Sequence, residues 1–288
     1  MSDRYVFDFH THSSASDGLL TPDDLVALAA QCGMRGLALT DHDTMAGIKA
    51  AREAAQRYDI MLLPGVEIST EYHGVSVHIL GYGVQEDDDV LSGYLEKFRL
   101  EKFRRAQNIL NRLSSLHMPI GEQELPKENR ENLGRAHIAR VMAQKGYVDS
   151  VQDAFDRYLQ SGKPAYIPKV KPETAEAIQM LIRCGALPVL AHPEQIRIPR
   201  NVLLAAIDEW QTVGLKGIEA YHPSHSDEQC AFWDHLARKH RLLVTGGSDF
   251  HEKSPDGLQH GELGSSLKRW QNHPYDIALI LEQEGIEP

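Results

Sequence analysis

The chain has 288 residues, 42% of them apolar and 25% charged, with a net charge of -11 at neutral pH. That is enough chain for a sizeable core, and the charge excludes a general basic footprint for DNA. No apolar run reaches transmembrane length and the start lacks a leader pattern, so neither a membrane partner nor export is expected. The three cysteines, Cys32, Cys184 and Cys230, share no close spacing, which disfavours a disulfide framework or a cysteine zinc site and fits a cytoplasmic protein. The unusual count is 15 histidines, the side chain best suited to metal ligation and to proton transfer near pH 7.

In chain order, short apolar runs at 5–9, 36–40, 60–68, 75–82, 187–191, 216–220 and 242–246 read as strands. Between most of them lie amphipathic helical patterns, at 21–33, 44–58, 172–185, 199–214 and 226–240. The first has Thr21 as N-cap, Pro22 at the first helical position and Gly33 as its stop. Strand–helix alternation with apolar strands predicts a parallel sheet covered by helices, and seven strands suggest an α/β fold closed as a (β/α) barrel. The alternation falters once, because only "STEYHG" separates the third strand from the fourth. Tyr82 to Leu187 is far longer than a crossover requires and carries helical periodicity, including Leu91, Leu95, Phe98, Ile109, Leu113 and Leu116. Residues 85–165 therefore read as a helical insertion forming part of the substrate site, with 1–84 and 166–288 as the barrel.

Active sites of such barrels lie at the carboxyl ends of the strands. The seven strand candidates deliver His10, His12 and Asp17; Asp41, His42 and Asp43; Glu67; His78; His192; Glu219, His222 and His225; and Asp249 and His251. Residues i and i+2 of an extended segment share a face, so His10 with His12, and Asp249 with His251, can each reach one ion. Imidazole mixed with carboxylate suits Zn, Mn or Fe, and the nine taken as ligands among them (His10, His12, His42, His78, His192, His251, Asp17, Asp249 and Glu67) exceed what one ion needs. Clustered ions a few ångströms apart act on phosphate esters: they make hydroxide at neutral pH, orient the phosphoryl group and neutralise the leaving oxygen. Any one of these histidines alone is ordinarily a hydrogen-bonded loop residue; the case rests on the set. Asp41 and Asp43 read as turn or helix-cap residues before "TMAGIKAA". Asp8 is either a partner of a ligating histidine or a plain barrel polar residue.

The segments "DFHTHSSASDG", "TDHDT", "PGVEIS", "VHILGY", "VLAHP" and "GSDFHE", in this order, resemble the PHP (polymerase and histidinol phosphatase) family of metal-dependent phosphoesterases. The resemblance implies a distorted (β/α)7 barrel with three divalent ions, Mn foremost and Fe or Zn as alternatives. One ion would take His10, His12, Glu67 and Asp249; a second Glu67, His78 and His192; a third Asp17, His42 and His251. Within the family, "GRAHIAR", "AYIPKVKP" and "IEAYHPSH" are similar to the branch acting on nucleotides, although Ala136 stands where a proline would be expected. That likeness implies 3′,5′-nucleoside bisphosphate phosphatases, some of which trim 5′ ends of short RNA. The expected substrate is a small nucleotide, with short RNA as a further one, and no obligate protein partner.

Arg135, at the start of a helix, could hold a phosphate through bidentate hydrogen bonds and nearby backbone N–H groups. Lys169 or Lys171 could face the site, and His225 is a further candidate. His222 could contact the scissile phosphate or protonate the leaving oxygen, and with Asp249 makes up the expected catalytic pair. Lys97, Arg99, Lys102, Arg104, Arg105 and Arg112, interleaved with acids, read as a solvated helix face. The rival readings are a phosphatase for another metabolite such as histidinol phosphate, a barrel amidohydrolase or deaminase, and a non-catalytic metal or nucleotide binder.

Overall fold

Seven strands pair in sequence order: β1 (Phe7–Thr11), β2 (Gly36–Leu39), β3 (Met61–Tyr72), β4 (Val75–Tyr82), β5 (Leu187–Leu190), β6 (Gly217–Tyr221) and β7 (Leu243–Gly246). The computed structural model describes residues 7–125, 134–168, 170–251 and 262–264. Beyond β7 the chain turns back beside β1: Thr11 bridges Phe250 in parallel, and His12 N–H donates to the Phe250 carbonyl at 2.9 Å. The sheet is thereby a nearly closed seven-stranded barrel, and its fold is mixed α/β.

The sheet is not parallel throughout. β4 runs antiparallel to both β3 and β5. The cause is local: Tyr72 pairs with Val75 across a two-residue turn, His73–Gly74, with φ of 49° and 79°. Positive φ at both central positions matches the twist of a tight hairpin, so the fourth strand returns directly where a crossover helix would otherwise stand. His78 thus lies in the first half of its strand, yet the reversal brings it to the rim where the parallel strands end.

Between the other strands run helices that bury apolar faces against the sheet. These are α1 (Pro22–Gln31), α2 (Ile48–Tyr58), and, beyond the second unit described below, helices at Thr174–Arg183, Arg200–Thr212 and Asp227–Lys239. The first begins as its sequence implies: Thr21 accepts the Asp24 N–H at 3.1 Å, and Pro22 opens the helix. The aspartates before α2 do something else. The N-cap is Gly47, with no side-chain cap, and the helix starts at Ile48. Asp43 instead accepts the Ser69 N–H (2.8 Å), and Asp41 accepts from Ser13 N–H and Oγ (2.8 and 2.7 Å) and from Ser16 Oγ (2.6 Å). The "DHD" segment runs on beside β3, with Asp43 N–H donating to the Glu67 carbonyl and Glu67 N–H to that of Asp41. Asp43 lies in a turn at φ 54°, as the turn reading expects, but neither carboxylate caps the helix; both anchor loops.

The backbone divides into two units, one up to Ser92 and from Pro172 onward, the other Gly93–Lys171. The boundary falls inside α3 (Asp89–Ser115). The second unit holds most of α3, α4 (Arg135–Gln144) and α5 (Val151–Ala154), which continues as a π-turn over Phe155–Leu159. Its own core includes Ile109, Leu113, Ile138, Met142, Ala154 and Leu159.

Gly247, just after β7, sits against β1: a Cβ there would collide with His10 Cβ and backbone N. Gly247→Ala should cost about 1–3 kcal/mol through forced displacement of β1. A denaturant melt that matches the unsubstituted protein would contradict this.

Candidate metal centre

Glu67, on β3, is fully buried and meets five imidazoles. Its Oε2 lies 3.2 Å from His10 Nε2, 3.2 Å from His12 Nε2 and 3.1 Å from His42 Nδ1. Its Oε1 lies 2.9 Å from both His78 Nδ1 and His192 Nε2. The fold explains the gathering. The pleat puts His10 and His12 of β1 on one face, and an isolated parallel bridge pairs His42 with Glu67. β3–β4 pairing sets Ser69 opposite His78, placing His78 diagonally beside Glu67 on the same face.

Asp249 completes one end: its Oδ1 is 3.4 Å from His10 Nε2 and 3.2 Å from His12 Nε2. At the other end Asp17, half-exposed, has Oδ1 3.2 Å from His251 Nε2 and 3.8 Å from His12 Nδ1, and Oδ2 3.9 Å from His42 Nε2. Two of these residues sit in unusual backbone: Asp249 has φ 53° and His192 φ 26°. Positive φ outside glycine costs about 1–3 kcal/mol and persists where surrounding contacts over-determine it.

Three sets of ligand atoms come close enough to hold an ion: His10, His12, Glu67 and Asp249; His12, Asp17, His42 and His251; and His42, Glu67 and His78. The donor set fits divalent metal. Among the described residues, buried His10 Nε2, both nitrogens of His12, His42 Nδ1 and Glu67 Oε2 have no hydrogen-bond partner, although each lies near opposite charge. Buried polar atoms normally find partners, and a shared cation would supply one to all five.

Tautomers divide the histidines by role. His10 Nδ1 donates to Glu219 Oε1 (3.0 Å) and His251 Nδ1 to the Asp249 carbonyl (2.8 Å), so in its neutral form each ring keeps its lone pair at Nε2. His222 is the reverse. Its Nδ1 meets Ser224 Oγ at 2.8 Å and the Ser224 N–H at 3.1 Å; with both donating to it, the proton sits on Nε2, 3.4 Å from Asp249 Oδ2. It borders the cluster as a donor. His225 lies behind it, rings 5.3 Å apart, with Nδ1 donating to the Ala220 carbonyl at 3.0 Å.

The remaining candidates each have surroundings of their own. Arg135 belongs to the second unit, where Nη1 donates to the Leu159 carbonyl (3.0 Å) and the guanidinium lies 5.6 Å from the Phe155 ring centre and 5.7 Å from that of Tyr166. Lys169 lies outside the described residues. Arg105 corrects the reading of its helix face as solvated: it is buried, Nε donates to the Ile167 carbonyl (2.8 Å), and Nη2 has no partner. Arg112 likewise reaches the Tyr166 carbonyl (2.6 Å), while Arg99 and Arg104 make ordinary pairs with Glu96 and Glu101. Asp8 bonds no imidazole; it accepts N–H groups of His10 (3.2 Å), Ser248 (2.8 Å) and Gly264 (2.8 Å). The carboxylate behind His10 is Glu219, whose sequence signal was a lone acid inside an apolar strand.

Burial opposes ionisation of Glu67, but the charges of His42, His10 and His78 hold its carboxyl well below the usual range. Burial likewise opposes a charge on His12, yet the carboxylates of Asp249 and Glu67 beside it push it up to about 10. At His42 burial prevails over Glu67, and the imidazole is depressed to about 4.

Comparison with known proteins gives the family. The PHP domain model matches residues 8–211. The chain is 33% identical over 257 residues to a 3′,5′-nucleoside bisphosphate phosphatase of Chromobacterium violaceum, covering 88% of this chain and 90% of that protein. It is 33% identical over 255 residues to the 5′-3′ exoribonuclease Rnm of Escherichia coli, covering 87% and 86%. A Bifidobacterium adolescentis crystal structure, described as a metal-dependent phosphoesterase, superposes with a TM-score of 0.76 at 31% identity, over 97% of this chain and 96% of that one. The chain belongs to the PHP domain family, and with it to the metal-dependent phosphoesterases. No helix among the described residues is long and apolar enough to cross a membrane.

The pH behaviour of the metal-free protein follows from these shifts. Stabilisation by protonated His12 is complete below its ordinary 6.5 and is lost as pH rises through about 10. That from neutral His42 is complete above 6.5 and is lost as pH falls through about 4. Thermal melts of metal-free protein between pH 4 and 10 should peak near pH 6.5. Mn2+ uptake at pH 7.5 must displace the His12 proton. Calorimetric binding enthalpies should therefore vary with the buffer's ionisation enthalpy; the same value in every buffer would contradict proton release.

Proposed function

We propose that the protein hydrolyses a phosphate monoester of a small nucleotide, foremost the 3′-phosphate of nucleoside 3′,5′-bisphosphates, releasing a nucleoside 5′-monophosphate. The observation that carries this reading is the ligand cluster around Glu67, with partnerless buried donors and acceptors on several sides. The ligands would be His10, His12, Asp17, His42, Glu67, His78, His192, Asp249 and His251, sharing three divalent ions, Mn foremost. Such ions supply Lewis acidity, ionising water near neutral pH and offsetting phosphoryl charge.

The chain's own groups do the rest. Glu67, shared between ligand sets, would fix the spacing of the charges that face the phosphoryl group. His222 presents an N–H beside Asp249, the form needed to hydrogen-bond a phosphoryl oxygen and to protonate the departing sugar oxygen. Asp249 accepts near that N–H and orients it. His225 supports the His222 ring from behind rather than touching substrate.

The second phosphate would go to Arg135, with Arg105 assisting. Both are cationic, neither forms an ion pair with a carboxylate among the described residues, and Arg105 Nη2 is buried without a partner. Lys169, near in sequence to Tyr166 and Ile167, is the remaining candidate there. The relatives' names span a bisphosphate phosphatase and an exoribonuclease, and trimming of short 5′-phosphorylated RNA is the companion activity proposed.

Mn-loaded protein should release phosphate from adenosine 3′,5′-bisphosphate, and Asp249→Asn should lose turnover while keeping its circular dichroism spectrum. Turnover of histidinol phosphate with the higher kcat/KM, or ammonia release without phosphate release, would overturn the substrate assignment.

Arg135→Ala should raise KM for the bisphosphate about ten-fold or more, as loss of a charge-assisted contact implies, while leaving kcat and the KM for adenosine 3′-monophosphate nearly unchanged. An equal rise for both substrates would remove Arg135 from the second-phosphate site.

A further inference from the structure

Glu219, on β6, is fully buried and opens onto no solvent. Both its oxygens are occupied. Oε1 accepts the His10 Nδ1–H at 3.0 Å, and Oε2 accepts the backbone N–H of His192 at 2.8 Å. The inner ends of the same two residues meet opposite oxygens of Glu67: His10 Nε2 at Oε2 and His192 Nε2 at Oε1. One carboxylate on β6 therefore grips a side chain from β1 and the residue that follows the β5 segment.

Each grip has a consequence. An acceptor at His10 Nδ1 places the proton there and leaves the Nε2 lone pair facing Glu67 and Asp249. The bond to His192 N–H holds a residue with φ 26° and ψ 64°, outside the regions a histidine favours. Glu219 is itself poorly placed as a ligand or proton donor, since its oxygens are already taken by N–H groups on the outer side of the cluster.

We propose that Glu219 is the positioning residue of the metal centre: it sets the tautomer of His10 and the backbone of His192, and so tunes the two metal positions that share Glu67 without touching the position built from Asp17, His42 and His251. This rests on reading the cluster as a metal centre.

Glu219→Gln tests it. An amide keeps the shape but offers one acceptor and one N–H2 donor, so either the His192 N–H loses its partner or His10 Nδ1 must become an acceptor. In the second case the His10 proton moves to Nε2 and blocks the lone pair. Removing partners of this kind typically weakens metal binding about 10–100-fold. Mn2+ titration of metal-free protein should show weaker binding by that factor at two positions in Glu219→Gln. In the reciprocal variant, Asp17→Asn, only the remaining position should weaken. With adenosine 3′,5′-bisphosphate, Glu219→Gln should lower kcat more than it raises KM. A second measurement needs no variant: imidazole 15N spectra of the Zn-loaded protein should show His10 protonated at Nδ1. Mn2+ binding by Glu219→Gln equal to that of the unsubstituted protein, or a His10 proton found at Nε2, overturns the proposal. Failure of the unsubstituted protein to bind Mn2+ at all would instead sink the metal-centre reading, and this inference with it.

Discussion

Glu67 is a carboxylate with no access to water and five imidazole nitrogens within 3.2 Å. Burying one charge without compensation costs several kcal/mol, and removing one member of a buried charged set leaves the others exposed to that same cost. The arrangement is therefore tolerable only as a whole. Every part of the barrel that approaches Glu67 has to arrive in register: β1 with two histidines, the segment after β2 with one, β4 with one, and the chain after β5 with another. The strained backbone at His192 and Asp249 shows that side-chain position was met at the expense of local conformation.

Around this set the protein distributes protons by backbone and carboxylate contacts. Glu219 and the Asp249 carbonyl take the outer protons of His10 and His251, which turns their inner nitrogens into acceptors toward a cation. The Ser224 N–H does the opposite to His222 and turns its inner nitrogen into a donor. Two imidazoles of one cluster thus carry opposite chemistry, decided by which atom lies behind each ring. An N–H at that position is what the proposed protonation of a departing sugar oxygen would require.

The second unit raises a separate electrostatic question. Arg105, Arg112 and Arg135 all approach Tyr166–Ile167 or the Tyr166 ring, through Nε to the Ile167 carbonyl, Nη1 to the Tyr166 carbonyl and a ring contact. Burial and the Arg135 charge both disfavour the charge on Arg105. Three guanidiniums close to one segment, with no ion pair to a carboxylate among the described residues, favour an anion there.

Much of this was legible from residues alone. Seven apolar runs, the Thr21–Pro22 helix start and the His-x-His and Asp-x-His spacings are local patterns, and local patterns survive translation into structure because φ/ψ preference and pleat periodicity act over a few residues. What was not legible depended on partners distant in sequence. His73–Gly74 looked like an ordinary short link, and only its two positive φ angles reveal a hairpin that turns β4 around. Asp41 and Asp43 stand where caps stand, but the pairing of their segment with β3 gave them other donors. Arg105 sat in a charged helical stretch, and its burial came from packing beyond that helix. Glu219 was one acid in an apolar strand until the barrel brought it against His10, 209 residues away. The sequence by itself determined which residue types face the rim and hence the kind of chemistry. The tertiary structure decided which atom of each points inward, because the direction of a proton on an imidazole is set by the group behind it, and that group comes from another strand.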